Sequence, residues 1–304
     1  MDLLEKSGLM IEPQEGLDPQ QVLQAAEVAE TLGFGYIFRS DHLLPTSGRR
    51  GLATPECWTT LAAIAVKTNR IRFGPLVSPI GFRSPALLAK MVSTVHSLSN
   101  GRLQLGLGAG WYGDEYLAHG FAFPDFRNRK EQLREAAIIF DSLVKTGKVD
   151  FKGKYFSANF ELPGPITDLY RIIGGKAPSI LNIAGQFADE INIFAPSEAE
   201  FERLKPFLKP NLQVSQMGPF FIAKDREELK MKISRRMKLV GSSLAYEEYL
   251  ARLKARNAFI GTHTDFADQL AERIRWGIRK FYFQTLEPED SRSLEMLSEV
   301  LKSV

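Results

Sequence analysis

The sequence has very little cysteine and no long apolar run. Of its 304 residues one, Cys57, is a cysteine, which excludes an intramolecular disulfide and favours a reducing, cytoplasmic setting. No stretch approaches the roughly 18 uncharged apolar residues of a membrane helix. The amino terminus lacks the basic and apolar regions of a signal peptide. We therefore expect a cytoplasmic protein without a membrane partner.

The sequence also lacks a strong charge bias and the motifs of several enzyme classes. Lys and Arg number 39 against 36 Asp and Glu, which leaves a net charge of +3, too small to predict a nucleic-acid partner. Cys and His do not occur at zinc-type spacing, so we expect no metal site. The P-loop, the His-Glu-x-x-His motif and the Gly-x-Ser-x-Gly elbow are absent, which argues against NTPase, zincin and α/β-hydrolase chemistry.

What the sequence does contain is an alternation of short apolar runs with longer segments of helical period, which is typical of βα units and a parallel sheet. Eight strands are predicted, at residues 8–11, 36–38, 71–77, 103–107, 171–173, 191–194, 220–223 and 281–283. Eight repeats without a linker favour an α/β fold, a single (β/α)8 TIM barrel over residues 1–304.

Two further patterns bear on this fold. Period-two alternation around Gly153 predicts a small hairpin inserted in a βα loop, at about residues 148–170. The alternative architecture is a doubly wound open sheet, which is expected to carry a glycine-rich phosphate fingerprint after its first strand. That position holds a single glycine, Gly16, so the barrel is favoured.

In a barrel the functional groups gather on the loops that follow the strands, and Asp41 and His42 directly follow the second strand. A histidine near its ordinary pKa can act as acid, base or hydrogen-bond donor, and a neighbouring carboxylate can orient groups in the same pocket. The structural alternative is that Asp41 caps a turn and His42 lies at the surface.

The loops after strands three and four are poor in polar groups. Residues 74–83 offer one hydroxyl before Pro79, that of Ser78, so this loop could hold a flat ring by packing, or could simply be a rigid proline-rich connection. After strand four, glycines allow close approach to a ligand, with Asp114 and Glu115 on the next helical turn. Alternatively they form a tight strand exit. Counted from Gly106, a dinucleotide fingerprint would need its third glycine at Trp111, which argues against that motif in this register.

Two segments later in the chain could bind anions. Residues 174–179 open a helix after strand five, and their exposed N–H groups together with Lys176 could hold a phosphate. The second segment is a basic run, formed by Lys230, Lys232, Arg235, Arg236 and Lys238. Its charges interleave with apolar residues at helical spacing, which favours a solvated outer face over an anion site.

Taken together, these segments resemble the bacterial luciferase-like family of flavin and deazaflavin oxidoreductases. The likeness covers nearly the whole chain and is strongest over residues 25–137. It rests on residues 29–34 (AETLGF), 40–43 (SDHL), 69–74 (NRIRFG), 82–90 (FRSPALLAK), 98–111 (LSNGRLQLGLGAGW), 173–175 (IGG) and 187–190 (FADE).

The resemblance implies a barrel that binds an isoalloxazine or deazaflavin ring at the carboxyl end of its strands, commonly as a homodimer. It places Asp41 and His42 beside the ring. It also places a cis peptide not involving proline, aligned at Pro75–Leu76, in the loop after the third strand (residues 74–83, the third loop). The expected cofactor-binding residues are Asp41, Pro75, Leu76, Val77, Ser78, Gly108, Ala109, Gly110 and Asp114, with Gly174, Gly175, Lys176 and Ala177 as the phosphate loop.

Two departures from the family affect the functional hypothesis. Sugar-phosphate dehydrogenases of the family carry a glutamate where this chain has Trp111, and the cysteine near the flavin of true luciferases has no counterpart on that loop.

The Ser-Asp-His segment favours coenzyme F420 over FMN. The hypothesis is hydride transfer between F420 and a small organic substrate, with His42 as the catalytic residue. The alternatives are an FMN-dependent monooxygenase and a non-catalytic flavin-binding barrel.

Overall fold

Strands and helices alternate along the chain in the computed structural model, which describes residues 2–304. The strands are β1 (Ser7–Ile11), β2 (Tyr36–Arg39), β3 (Arg72–Pro75), β4 (Ser78–Pro79), β5 (Gln104–Gly108), β6 (Lys148–Lys152), β7 (Ser157–Glu161), β8 (Tyr170–Gly174), β9 (Glu190–Phe194), β10 (Gln213–Ile222), β11 (Phe259–Gly261) and β12 (Lys280–Thr285). The helices are α1 (Pro19–Leu32), α2 (Cys57–Lys67), α3 (Pro85–Leu98), α4 (Gly113–Ala118), α5 (Phe126–Thr146), α6 (Pro178–Phe187), α7 (Glu198–Leu204), α8 (Arg226–Leu239), α9 (Tyr246–Ala255), α10 (His263–Trp276) and α11 (Ser291–Ser303).

Local signals in the sequence set the ends of α1. The Asp18 side chain accepts from the N–H of Gln21, while the Gln21 side chain accepts from the N–H of Asp18, so two free N–H groups of the first turn are satisfied. Gly33 ends the helix at a φ of 89°, in the left-handed region that glycine adopts without steric penalty.

The sheet closes into the predicted barrel. Its parallel strands follow the order β3-β2-β1-β12-β10-β9-β8-β5, and a bridge between Phe73 and Leu103 joins β3 to β5. Sequence analysis missed the short strands β4 and β11 and residues 213–219 of β10. This first part of β10 is rich in polar residues. One of them, Ser215, points into the barrel, where its hydroxyl accepts a 2.8 Å hydrogen bond from the Asn192 side chain.

The hairpin is confirmed, but its predicted place in a βα loop is wrong. Strands β6 and β7 pair antiparallel, from Lys148 opposite Glu161 to Lys152 opposite Ser157. They connect α5 to β8, and α5 already completes the unit that β5 begins, so the insertion lies in a helix-to-strand connection. The Glu135 carboxylate of α5 accepts hydrogen bonds from three backbone N–H groups at the turn of the hairpin.

Alternate side chains of each strand enter two separate cores. One set packs inside the barrel: Met10, Tyr36, Phe38, Leu76, Ile172 and Tyr282. The other set, which includes Leu9, Ile37, Phe73, Leu105, Ile173, Ile191 and Phe281, packs against the helices. Because both faces of every barrel strand are covered, the strands read as nearly continuous apolar runs. The carboxyl ends of the strands stay free to carry functional groups.

The amino-terminal end of the barrel holds a buried ion pair. Glu190 opens β9, is fully buried, and accepts from Lys280 at 2.8 Å and from the Tyr282 hydroxyl at 2.8 Å. Burial opposes the charge on Lys280, but the Glu190 carboxylate outweighs it and raises the pKa of the ammonium. The Tyr170 hydroxyl donates to the same carboxylate and accepts from Lys280, so the pair is held from several strands.

In residues 2–304, no helix combines the length and the apolar character needed to cross a bilayer.

Replacing Lys280 by Met should destabilise the fold strongly, because the variant leaves Glu190 buried without its cation. The expected loss is about 3–5 kcal/mol in the free energy of unfolding, measured by urea denaturation. The matched control is Lys148→Met, which breaks an exposed pair with Glu161 and should change that free energy by about 0–1 kcal/mol. Equal effects for the two variants would contradict a structural role for the Glu190 pair.

Candidate active site

The barrel brings the predicted site segments to one face. Asp41 and His42 follow β2, Ser78 lies in β4 beyond β3, Ala109 follows β5, and Gly174 ends β8. Parallel strands place all of these carboxyl ends at the same end of a barrel. The segments that sequence analysis proposed from separate parts of the chain therefore share one face.

Asp41 forms the buried centre of this face. Its side chain is completely buried, and its carboxylate accepts from Ser78 at 2.6 Å and from both terminal nitrogens of Arg83 at 2.6 and 3.1 Å. Trp58 of α2 donates its indole N–H to the Ser78 hydroxyl at 3.1 Å. Burial raises the pKa of the Asp41 carboxyl, against the opposing effects of Arg83 and Ser78. Asp41 and Ser78 therefore fix the loops of the site.

Arg83 was not among the residues predicted from the sequence. Its guanidinium joins Asp41 to Glu56, and Glu56 caps the first turn of α2 by accepting from the N–H of Thr59. The available signal was a single arginine in an otherwise apolar loop, but only the folded chain shows which carboxylate it meets.

His42 is held from one side by Glu115. Its Nδ1 lies 3.0 Å from both carboxylate oxygens, and the N–H of Leu43 donates to the same carboxylate at 3.0 Å. A carboxylate accepts hydrogen bonds, so Nδ1 carries a proton in this pair. Nε2 has no hydrogen-bond partner among residues 2–304, which leaves it as the nitrogen able to exchange a proton with a substrate.

The surroundings of His42 favour its protonated form. Burial opposes the positive charge, but the hydrogen bond and charge of Glu115, with smaller effects from Glu12 and Asp41, raise the pKa of the imidazole above its ordinary value. His42 therefore changes charge at a higher pH than a solvent-exposed histidine does.

The acidic residue that sequence analysis selected from α4 is Asp114, yet the one that reaches the site is Glu115. Asp114 is exposed, whereas Glu115 is 1% exposed. Consecutive helix positions point about 100° apart, so only one of the two can face the barrel. The sequence places both on the same turn but gives no register that would choose between them.

Aromatic side chains surround His42 on the solvent side. Trp111 is 66% exposed, stacks on Tyr112 with ring centroids 5.3 Å apart, and meets the His42 ring edge-on at 5.6 Å. Phe194, at the carboxyl end of β9, is also exposed and was not predicted as a site residue. Phe82 is buried and packs against Tyr116.

The third loop bulges where the chain passes from β2 to β5. Its cis peptide joins Leu76 to Val77, one bond beyond the predicted Pro75–Leu76 position. Pairing with β2 lasts through Leu76, whose N–H donates to the carbonyl of Arg39 at 2.8 Å, so the chain leaves that strand only after this residue. The chain then crosses from β2 to β5, where Ser78 pairs with Leu107.

Glycines on β5 and β8 make room for this bulge. A Cβ atom on Gly108 would lie 2.4 Å from the Val77 side chain, and one on Gly174 would lie 3.0 Å from it. A Cβ on Gly110 would lie 2.1 Å from the Tyr116 hydroxyl. These three glycines are therefore required by packing within the site, in addition to any contact with a ligand.

The predicted phosphate loop lies at the start of α6. Ala177 is the N-cap and supplies no side-chain cap. Pro178 has no N–H and the N–H of Ile180 donates to the Ala177 carbonyl, so the N–H of Ser179 is the one that this turn offers to an anion. Lys176 is exposed and pairs with Glu200 at 2.9 Å. The half-buried Gly174 and Gly175 precede this turn, so the backbone here can accept a phosphate group.

These features fit a flavin-type cofactor. Val77 and Ala109 are partly buried apolar residues at the face that carries His42, and the start of α6 offers the N–H of Ser179 to a phosphate. Sites for such ligands are mostly apolar, with a few convergent polar groups.

Known proteins resemble this chain in sequence and in structure. It is 29% identical to the F420-dependent glucose-6-phosphate dehydrogenase of Amycolatopsis mediterranei over 66% of its own length and 62% of that relative, so it spans less than two thirds of it. An F420-dependent secondary alcohol dehydrogenase in complex with an F420-acetone adduct superposes with a TM-score of 0.80 at 17% identity, over 99% of this chain and 98% of that one.

A second solved structure shares the fold, and a family profile covers most of the sequence. The oxygenating constituent of 3,6-diketocamphane monooxygenase from Pseudomonas putida, in complex with FMN, superposes with a TM-score of 0.76 at 18% identity over 100% of this chain and 99% of that one. The profile of the luciferase-like monooxygenases matches residues 3–280. The chain therefore belongs to the luciferase-like monooxygenase family.

Proposed function

We propose that this protein is a coenzyme F420-dependent oxidoreductase that transfers a hydride between the deazaflavin and a small organic substrate. The observation that carries the proposal is the His42–Glu115 pair, which leaves a proton-exchanging nitrogen at the barrel face. The F420-dependent dehydrogenase relative supports the choice of cofactor.

Val77, Ala109 and Gly108 would hold the ring, and Gly174, Gly175 and Ala177 would hold a phosphate of the cofactor. When bound, F420 supplies the two-electron chemistry by accepting or giving a hydride. Asp41 acts by positioning the third loop through Ser78 rather than by exposing its own carboxylate.

His42 supplies the proton chemistry. With Nδ1–H bonded to Glu115, neutral His42 presents Nε2 as a base, which can take the hydroxyl proton of an alcohol as the substrate is oxidised. In the reverse direction protonated His42 returns that proton. Glu115 stabilises the imidazolium, and Trp111 with Tyr112 limits access of water to the pair.

The competing function is an FMN-dependent monooxygenase that uses reduced flavin and dioxygen. The family profile, that of luciferase-like monooxygenases, favours keeping it as the second candidate. Oxygen consumption distinguishes the two reactions.

We also propose a single-domain chain that forms a homodimer in the cytoplasm. Exposed apolar side chains on α2 and α3, those of Val66, Leu87 and Leu98, could be covered by a second copy. The lone cysteine, Cys57, is buried and free, which suits a reducing compartment.

The cofactor is tested by fluorescence titration of the purified protein with F420 and, separately, with oxidised and reduced FMN. Trp111 beside His42 is the natural reporter. We expect saturable quenching by F420 and weaker binding of FMN. Tight binding of FMN alone, with oxygen uptake, would support the monooxygenase. Tight F420 binding without reduction of the ring by any alcohol, and without oxidation of the reduced ring by any aldehyde, would indicate a non-catalytic barrel.

Replacing His42 by Ala should lower turnover by about 10²- to 10⁴-fold, because the substrate proton loses its acceptor. The affinity for F420 should change little, since the imidazole acts on the substrate. Steady-state rates and the same titration measure the two effects. His263→Ala, an exposed histidine on α10, is the control. Unchanged turnover in the His42 variant would remove it from the mechanism.

The pH dependence of the rate should follow His42. Because Glu115 raises the pKa of His42, Glu115→Gln should lower that pKa. Oxidation of an alcohol needs neutral Nε2, so its rate falls as the pH decreases through the pKa. In Glu115→Gln this acid limb should move to lower pH, while Asp114→Asn should leave it in place. An unshifted limb in the Glu115 variant would show that another group controls the profile.

A further inference from the structure

A cavity lies between α8, the carboxyl ends of β10 and β12 and the start of α11. Its volume is about 270 Å³, and its walls include Phe221, Lys232, Arg236, Glu287 and Arg292. Strand β1 lies between β12 and β2 in the sheet, and none of the residues that line this cavity belongs to the loops that hold His42.

The basic side chains of α8, interpreted from the sequence as a solvated outer face, do not all point towards solvent. Lys230, Arg235 and Lys238 are exposed, but Arg236 is 8% exposed. Arg236 follows the buried Ile233 at helical spacing, so it lies on the inner face of α8. The sequence interpretation is therefore wrong for Arg236.

Arg236 is the cation of this cavity that lacks a partner. Four basic and three acidic side chains line the walls. Lys232 donates to the Ile222 carbonyl and the Ser293 hydroxyl, and Arg292 lies 3.3 Å from Glu228. Arg235 pairs with Glu287. Among residues 2–304, Arg236 has neither a hydrogen bond nor an ion pair, and its guanidinium lies 5.8 Å from the centroid of the Phe221 ring.

The nearby carboxylates do not form an ion pair with Arg236. Glu287, Glu12 and Glu15 act on Arg236 from beyond ion-pair distance. Glu287 is engaged by Arg235, Glu15 by the hydroxyls of a neighbouring loop, and Glu12 by two glutamine amides. Burial lowers the pKa of the Arg236 guanidinium, yet arginine stays charged in proteins, so the buried charge requires compensation.

We propose that this cavity is an anion-binding site, in which Arg236 binds a phosphate or carboxylate group. The planar guanidinium can donate two parallel hydrogen bonds to either group. The cavity can admit such a group together with part of a larger molecule. The anion is either separate from the cofactor or an anionic part of it.

The test is thermal unfolding and calorimetric titration of the full chain with inorganic phosphate, at constant ionic strength set by chloride. Phosphate should raise the melting temperature of the wild type in a saturable way. Arg236→Met should weaken phosphate binding by about tenfold or more. Without phosphate its melting temperature should equal or exceed that of the wild type, because a buried unpaired charge is removed. Lys238→Met, exposed on the same helix, should behave like the wild type.

The site is disproved if phosphate does not stabilise the wild type, or if Arg236→Met and the wild type respond to it equally. If Arg236→Met does not fold, Arg236→Lys is the second variant. It keeps the positive charge but cannot donate the two parallel hydrogen bonds of a guanidinium, so it should fold and bind phosphate more weakly. Unchanged phosphate binding in this variant would overturn the proposal.

Titration with F420 distinguishes the sources of the anion. Weaker F420 binding in the variant, with competition by phosphate, assigns the anion to the cofactor; unchanged F420 binding assigns it to a separate molecule. The phosphate readout requires no cofactor, so failure of the proposed oxidoreductase function would not affect it.

Discussion

The buried carboxylate of Asp41 is the interaction on which the site depends. It ties the loop after β2 to Ser78 of the third loop and to Arg83 before α3, and Ser78 in turn receives the Trp58 indole of α2. Placing a carboxylate in the interior is costly unless its oxygens are paired. Because Arg83 and Ser78 satisfy both oxygens, the network holds three chain segments in one arrangement, and His42 extends from the end of that network.

Backbone packing works together with this network. The third loop changes partner from β2 to β5 at Val77, and the absence of side chains at Gly108 and Gly174 leaves room for it. The same glycines that permit close approach to a ligand also permit this crossing. Under the proposed function, rigid support of this kind holds a hydride donor, an acceptor and a proton-exchanging histidine in register.

Much of the fold could be predicted from local patterns. The capping box at Asp18, the glycine stop at Gly33 and the hairpin around Gly153 depend on neighbours within a few residues, and the hairpin was predicted from its period-two alternation. The polar first half of β10 was missed because its strand character comes from pairing on both sides and from the contact of Ser215 with Asn192. Such partners are distant in the sequence and leave no periodic signal.

For the site, sequence patterns alone predicted which loops would carry the functional groups, since Asp41, His42 and the glycine-rich exits follow predicted strands and resemble one family. Tertiary structure decided which side chains meet. It selected Glu115 over Asp114, paired Arg83 with Asp41, and turned Arg236 inward while its neighbours face solvent. The physical reason is that composition and spacing specify secondary structure and its exposed ends. Burial and ion pairing depend on the rotation of each helix against the barrel, which is fixed by packing across the whole chain.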